Sequence, residues 1–111
     1  MSLPPSVRIH LCRIPADMRR SFDGLAALTQ TVVGQDPLSG HLFVFRNRRG
    51  DRIKALWWDG DGYALFAKRL ERGVFNLPDS TEGTIVVTPT ELAMVLGGVE
   101  WASTRRRKRY T

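Results

Sequence analysis

The stretch His41–Gly73, HLFVFRNRRGDRIKALWWDGDGYALFAKRLERG, decides the fold. It divides into HLFVFRN, DRIKALWWD and GYALFAKRL, separated by the turn-forming RRGD and DGDG. In the first run a two-residue period sends His41, Phe43 and Phe45 to one face and Leu42, Val44 and Arg46 to the other. In the second, Ile53, Ala55 and Trp57 oppose Arg52, Lys54, Leu56 and Trp58. In the third, Tyr63, Leu65, Ala67 and Arg69 oppose Ala64, Phe66, Lys68 and Leu70. Three such runs joined by short turns predict an antiparallel meander. Both faces are partly apolar, so the sheet is expected to be covered on both sides, by a helix on one and by the end segments of the chain or a partner on the other.

Upstream, VRIHLCRI alternates Val7, Ile9 and Leu11 against Arg8, His10 and Cys12, the pattern of a half-buried strand. DMRRSFDGLAALTQTVV then spaces Met18, Phe22, Leu25, Leu28 and Val32 as one face of a long helix, with Asp17 as its N-cap and Gly34 as its end. Gly24 within it costs about 1 kcal/mol relative to Ala unless something packs closely there. Downstream, TIVVT is a short β-branched strand. Thr88, Pro89 and Glu91 form a capping box that opens the helix ELAMVLGG. The expected fold is α+β: a mainly antiparallel sheet of four to five strands around the meander, packed with one long N-terminal and one C-terminal helix.

At 111 residues, 42% hydrophobic and 25% charged, the chain suits one small domain, expected over residues 1–104, with a flexible basic tail over 105–111. No apolar run approaches the roughly 20 residues of a membrane span, and MSLPPSVRIH lacks the pattern of a signal peptide, so a cytoplasmic location is expected. Cys12 has no partner for a disulfide. With only His10 and His41 beside it, no zinc-ligand spacing arises, and no metal or cofactor is expected.

The net charge of +6 is unevenly spread. Five basic residues form the run Arg105, Arg106, Arg107, Lys108 and Arg109, and without them 12 basic residues face 11 acidic ones. Within 41–73, Arg46, Arg48, Arg49, Arg52, Lys54, Lys68, Arg69 and Arg72 outnumber Asp51, Asp59, Asp61 and Glu71. Two basic zones suit a phosphate-binding protein, although a solvated sheet face and a solubilising tail have the same composition. The carboxylates resemble a two-metal cluster only in number. Asp51, Asp59 and Asp61 sit beside glycines, where Asp is turn chemistry, so no catalytic residue is assigned.

The blocks DMRRSFDGLAAL, DPLSGHLFVFRNRRGDRIKALWWDGDGYALFAKRLERGVF and TPTELAMVLGGVEW together resemble the small TnpB-type accessory protein of the insertion-sequence-sixty-six class of bacterial transposons, the second reading-frame product of those elements. The resemblance runs from about Val7 to Trp101. Where that family usually reads Arg-Lys-Gly before the Phe, this chain has Arg19-Arg20-Ser21, and Asn47 stands where Gly is frequent. The resemblance implies action beside a DDE-type transposase and a small helix-turn-helix protein of the same element. It supplies no catalytic mechanism.

Two readings stay open. In the first, Arg46, Arg48, Arg49 and Arg52 project from a hairpin tip and, with Lys54, Arg19, Arg20 and the terminal run, grip DNA phosphates, while those of Trp57, Trp58 and Tyr63 that face solvent, Trp58 above all, stack on bases. In the second, the same aromatic and arginine residues dock the chain on the transposase without DNA contact. In either reading Phe43, Phe45, Ile53, Trp57, Leu65 and Phe66 are expected to hold the meander against the helices.

Overall fold

The computed structural model describes residues 6–78 and 80–97. Its elements are β1 (Ile9–Cys12), α1 (Phe22–Leu28) continued by one π-helical turn (Thr29–Val33), β2 (Leu42–Arg46), β3 (Arg52–Trp58), β4 (Tyr63–Arg69), β5 (Thr84–Val87) and α2 (Pro89–Leu96). One five-stranded sheet has the order β4-β3-β2-β1-β5. The meander β2-β3-β4 is antiparallel throughout, with Val44 opposite Ala55 and Ala55 opposite Phe66.

The expected sheet is corrected at β1. That strand runs parallel to β2, and β5 pairs antiparallel on its other side, so the sheet is mixed rather than mainly antiparallel. The cause is the connection: a helical crossover between β1 and β2 returns the chain to the sheet in the same direction, whereas a short turn would reverse it. β1 therefore lies inside the sheet. All four of its residues are buried, where alternation predicts a half-buried strand.

The long N-terminal helix is corrected as well. Asp17 does not cap it. The Asp17 carboxylate accepts the Arg19 backbone N–H at 2.9 Å, and the Arg20 N–H reaches Asp17 O, so a local turn competes with the first helical turn. α1 begins only at Phe22, with Ser21 before it. At its end the Thr29 hydroxyl donates to Leu25 O and the Thr31 hydroxyl to Ala27 O, and Gly34 closes the π turn at φ 74°. Of the expected apolar stripe, Leu25 is fully buried, while Phe22 and Val32 are exposed. Gly24 has its close neighbour: a Cβ there would lie 3.0 Å from the Arg20 Cβ.

Each face of the sheet has its own core. Under α1 lie Cys12, Phe43, Phe45, Leu56 and Leu25. Under α2 and the segment after β4 lie Ile9, Leu11, Leu42, Val44, Ile53, Ala55, Phe75, Val87, Leu92 and Val95. Trp57 is half-buried against this second core and donates its indole N–H to Gly40 O at 2.9 Å. Phe66 departs from its expected core role and is 39% exposed, because β4 is an edge strand. α2 carries the full capping box, with Thr88 N–H on the Glu91 carboxylate and Glu91 N–H on the Thr88 hydroxyl.

Candidate nucleic-acid interface

The turn between β2 and β3 is built by Asn47. Its carbonyl accepts the N–H groups of Gly50 and Arg52, and its amide donates to the Asp51 carboxylate at 2.7 Å. Gly50 sits at φ 85°, a conformation that disfavours side chains. The segment after β4 pins the turn from outside, through Leu70 N–H on Asp51 O and Phe75 N–H on Gly50 O. The arginines therefore stand on a braced turn. Sequence reading passed over Asn47 as a departure from glycine; a side chain able to accept two backbone N–H groups at a turn is the signal that marks it.

The four arginines of the turn divide by role. Arg46 is half-buried, and its Nε donates to Arg13 O at 2.9 Å, its Nη2 to the same carbonyl and its Nη1 to Asn47 O. It fastens the chain after β1 to the end of β2 and does not project, contrary to expectation. Arg49 is largely exposed and stands 3.8 Å from Asp51. Arg48 and Arg52 are exposed. Asp51 is held below the usual carboxylate range first by the Asn47 amide, and also by the nearby Arg49 and Arg52 charges.

Because α1 starts late, residues 16–20 form a non-helical turn beside these arginines, tied to the sheet by Ala16 N–H on Arg46 O and by Lys54 Nζ on Arg20 O. Two open clefts result. One is lined by Ala16, Asp17, Met18, Arg19, Asn47, Arg48, Arg49 and Arg52. The other, of about 380 Å³, is lined by Met18, Arg52, Ile53, Lys54, Ala67, Lys68, Arg69 and Glu71. They share Met18 and Arg52, so together they form a continuous basic surface. Lys54 donates Nζ to Arg20 O at 2.8 Å, Arg19 is paired with Asp17 at 2.6 Å, and Arg69 with Glu71 at 3.2 Å. Hydrogen bonds from the Arg19 side chain, then from its backbone N–H, hold the Asp17 carboxyl at about 2. Sequence reading had not selected Lys68 or Arg69; pairing of the two β-strands brings Arg69 opposite Arg52.

Trp58 is not part of this surface. It lies at the far end of β3, half-buried, packed edge-on against Tyr63 with ring centroids 5.1 Å apart. Its neighbours are acidic. The hydrogen bond between their carboxyls holds Asp59 below and Asp61 above the usual range. The Tyr63 phenol is pushed up by burial and by the carboxylates of Asp23 and Asp36. Arg20 donates to Gly24 O and turns along α1. The run Arg105–Arg109 lies outside the described residues. Among the described residues, no group of three or more His, Cys, Asp or Glu side chains is placed to hold a metal, and no helix is long and apolar enough to cross a membrane.

Two proteins of Sinorhizobium fredii (strain NBRC 101917 / NGR234) are similar to this chain. The uncharacterized protein y4hO is 43% identical over 96 residues, covering 86% of this chain and 84% of its own length. The uncharacterized protein y4jC is 37% identical over 101 residues, covering 91% and 86%. No solved structure matches. The family described as IS66 Orf2 like protein matches residues 7–106, nearly the whole chain and both sides of the basic surface. The chain belongs to this IS66 Orf2-like family of insertion-sequence proteins.

Proposed function

We propose that this protein is a non-catalytic accessory factor of transposition that binds DNA through its sugar–phosphate backbone and so assists a DDE-type transposase. The observation that carries the reading is the joined pair of clefts around Met18 and Arg52, where six basic side chains, Arg19, Arg48, Arg49, Arg52, Lys54 and Arg69, meet two acidic ones, Asp17 and Glu71. Guanidinium groups on a braced turn suit phosphate oxygens, and each phosphate neutralised releases counterions. Lys68 Nζ donates to Leu96 O on the opposite face of the sheet, so α2 ends under the edge strand β4.

The test is a salt series of duplex-DNA binding with the Arg48→Ala, Arg49→Ala double variant. Stability should change by no more than about 0.5 kcal/mol per site. The slope of log affinity against log salt should shrink by up to about 1.8. Transposition should fall in protein that melts like the wild type. An unchanged slope with full transposition would leave these arginines as solvated surface. Binding to the transposase alone, insensitive to salt, would favour protein docking, for which the exposed Phe66 on edge strand β4 is one of several apolar contacts.

A further inference from the structure

Arg52 and Arg69 stand directly opposite each other across the β3–β4 ladder, with Lys54 opposite Ala67 one step further in. Like charges directly opposite on neighbouring strands repel. Both arginines line the same cleft with Lys54 and the partly buried Met18. Glu71 answers Arg69 only from the surface, with the two side chains 58% and 79% exposed, and such pairs contribute little. The Arg52 charge acts on the neighbouring Asp51, but no ion pair within 4.0 Å joins them among the described residues.

We propose that Arg52, Lys54 and Arg69 form a seat for one backbone phosphate of duplex DNA, whose occupancy removes the repulsion between the two arginines. The inference rests on the DNA-binding reading and narrows it to one site and one form of nucleic acid. Two arginines and a lysine lining one open cleft supply the charge, and the guanidinium groups the bidentate donors, that a phosphate takes. Single strands are held largely by stacking of bases on aromatic rings, and no aromatic side chain lines either cleft. Trp58 and Tyr63 lie at the other end of β3, about 20 Å from Arg52 at the rise of a strand. A surface offering cations without stacking rings fits a duplex, whose bases are already stacked.

The test uses the full chain, its Arg69→Gln and Arg52→Gln variants, a short duplex, one of its single strands, and inorganic phosphate at matched ionic strength. In chloride alone each variant should melt at or above the wild-type temperature, because one of two repelling charges is gone; a structural arginine would lower it. Phosphate and duplex should raise the wild-type melting temperature more than that of either variant. Duplex affinity should fall about tenfold in each variant, and the salt slope by about one. Duplex binding that survives both replacements overturns the seat and leaves the DNA reading standing. Equal or tighter binding of the single strand overturns the choice of duplex. Absence of any DNA binding by the wild type at low salt overturns the DNA reading itself.

Discussion

At its first residue β3 carries Arg52, exposed and opposite a second arginine; at its last it carries Trp58, half-buried against Tyr63. Around Arg52 gather Arg48, Arg49, Lys54, Arg69 and the turn of Met18 and Arg19. Near the Trp58 end stand Asp59 and Asp61, with Asp23 and Asp36 acting on Tyr63. One strand thus joins a cationic, ring-free end to an anionic, aromatic one. The difference teaches that a density of arginine and tryptophan in sequence is not one site. A two-residue period assigns side chains to faces, but only the direction of the strand separates its ends.

The comparison breaks most severely if the core between the two ends is emptied. Phe43 is fully buried under α1, stacked on the His10 ring at 5.1 Å. Phe43→Ala should cost about 3 to 5 kcal/mol, measured by denaturant unfolding, and remove both ends together. A cost under about 1 kcal/mol would mean that α1 and its small core do not hold the sheet.

A smaller effect separates arginines within the basic end. Arg46→Gln removes hydrogen bonds to Arg13 O and Asn47 O, so it should lower stability by about 1 to 2 kcal/mol, where Arg48→Ala has almost no effect. Equal stability of the two variants would return Arg46 to the DNA-facing set.

Much of this was legible in the sequence, and the reasons for the rest are specific. The meander, its faces and the Thr88–Glu91 capping box follow from local period and local chemistry, and they are present. The parallel pairing of β1 with β2 does not, because strand direction depends on how a crossover packs. The late start of α1 was misread because Asp17 serves an N-cap and an Asx turn equally well, and only the Arg19 N–H distinguishes them. A helix from Asp17 would replace the turn that lines one basic cleft and shares Met18 with the other. Arg46 was misassigned because its acceptor, Arg13 O, is 33 residues away. The place of Arg69 beside Arg52 is not legible because it comes from the cross-strand register.

A pH effect, smaller again, sharpens the contrast inside the α1-face core. Burial, then the charges of His41 and Arg8, lowers the His10 pKa below 6.5, and its Nε2 has no hydrogen-bond partner among the described residues. The folded state therefore favours neutral His10, while the unfolded chain takes up a proton near the ordinary value. This contribution is fully present above pH 6.5 and is lost as pH falls through that value toward the lower folded pKa. The melting temperature should drop between about pH 7.5 and about pH 5.5, and His10→Phe should flatten the profile. A profile equally steep in His10→Phe would show that His10 does not carry the dependence.

The smallest expected effect is at the aromatic end. Trp58→Leu removes the edge-on contact with Tyr63, worth about 0.5 to 1.5 kcal/mol beyond simple burial, so a modest fall in melting temperature is expected. Duplex affinity and its salt slope should not change, because Trp58 lines neither basic cleft and lies about 20 Å along the strand from Arg52. The result turns on how the two ends would share a nucleic acid. If a strand ran along the α1 face from Arg52 to Trp58, it would pass from cations into the field of Asp59 and Asp61, which repels phosphate. A base stacked on Trp58 would have to overcome that repulsion. Loss of duplex or single-strand affinity in folded Trp58→Leu protein would show that it does, and the two ends of β3 would then be one binding surface.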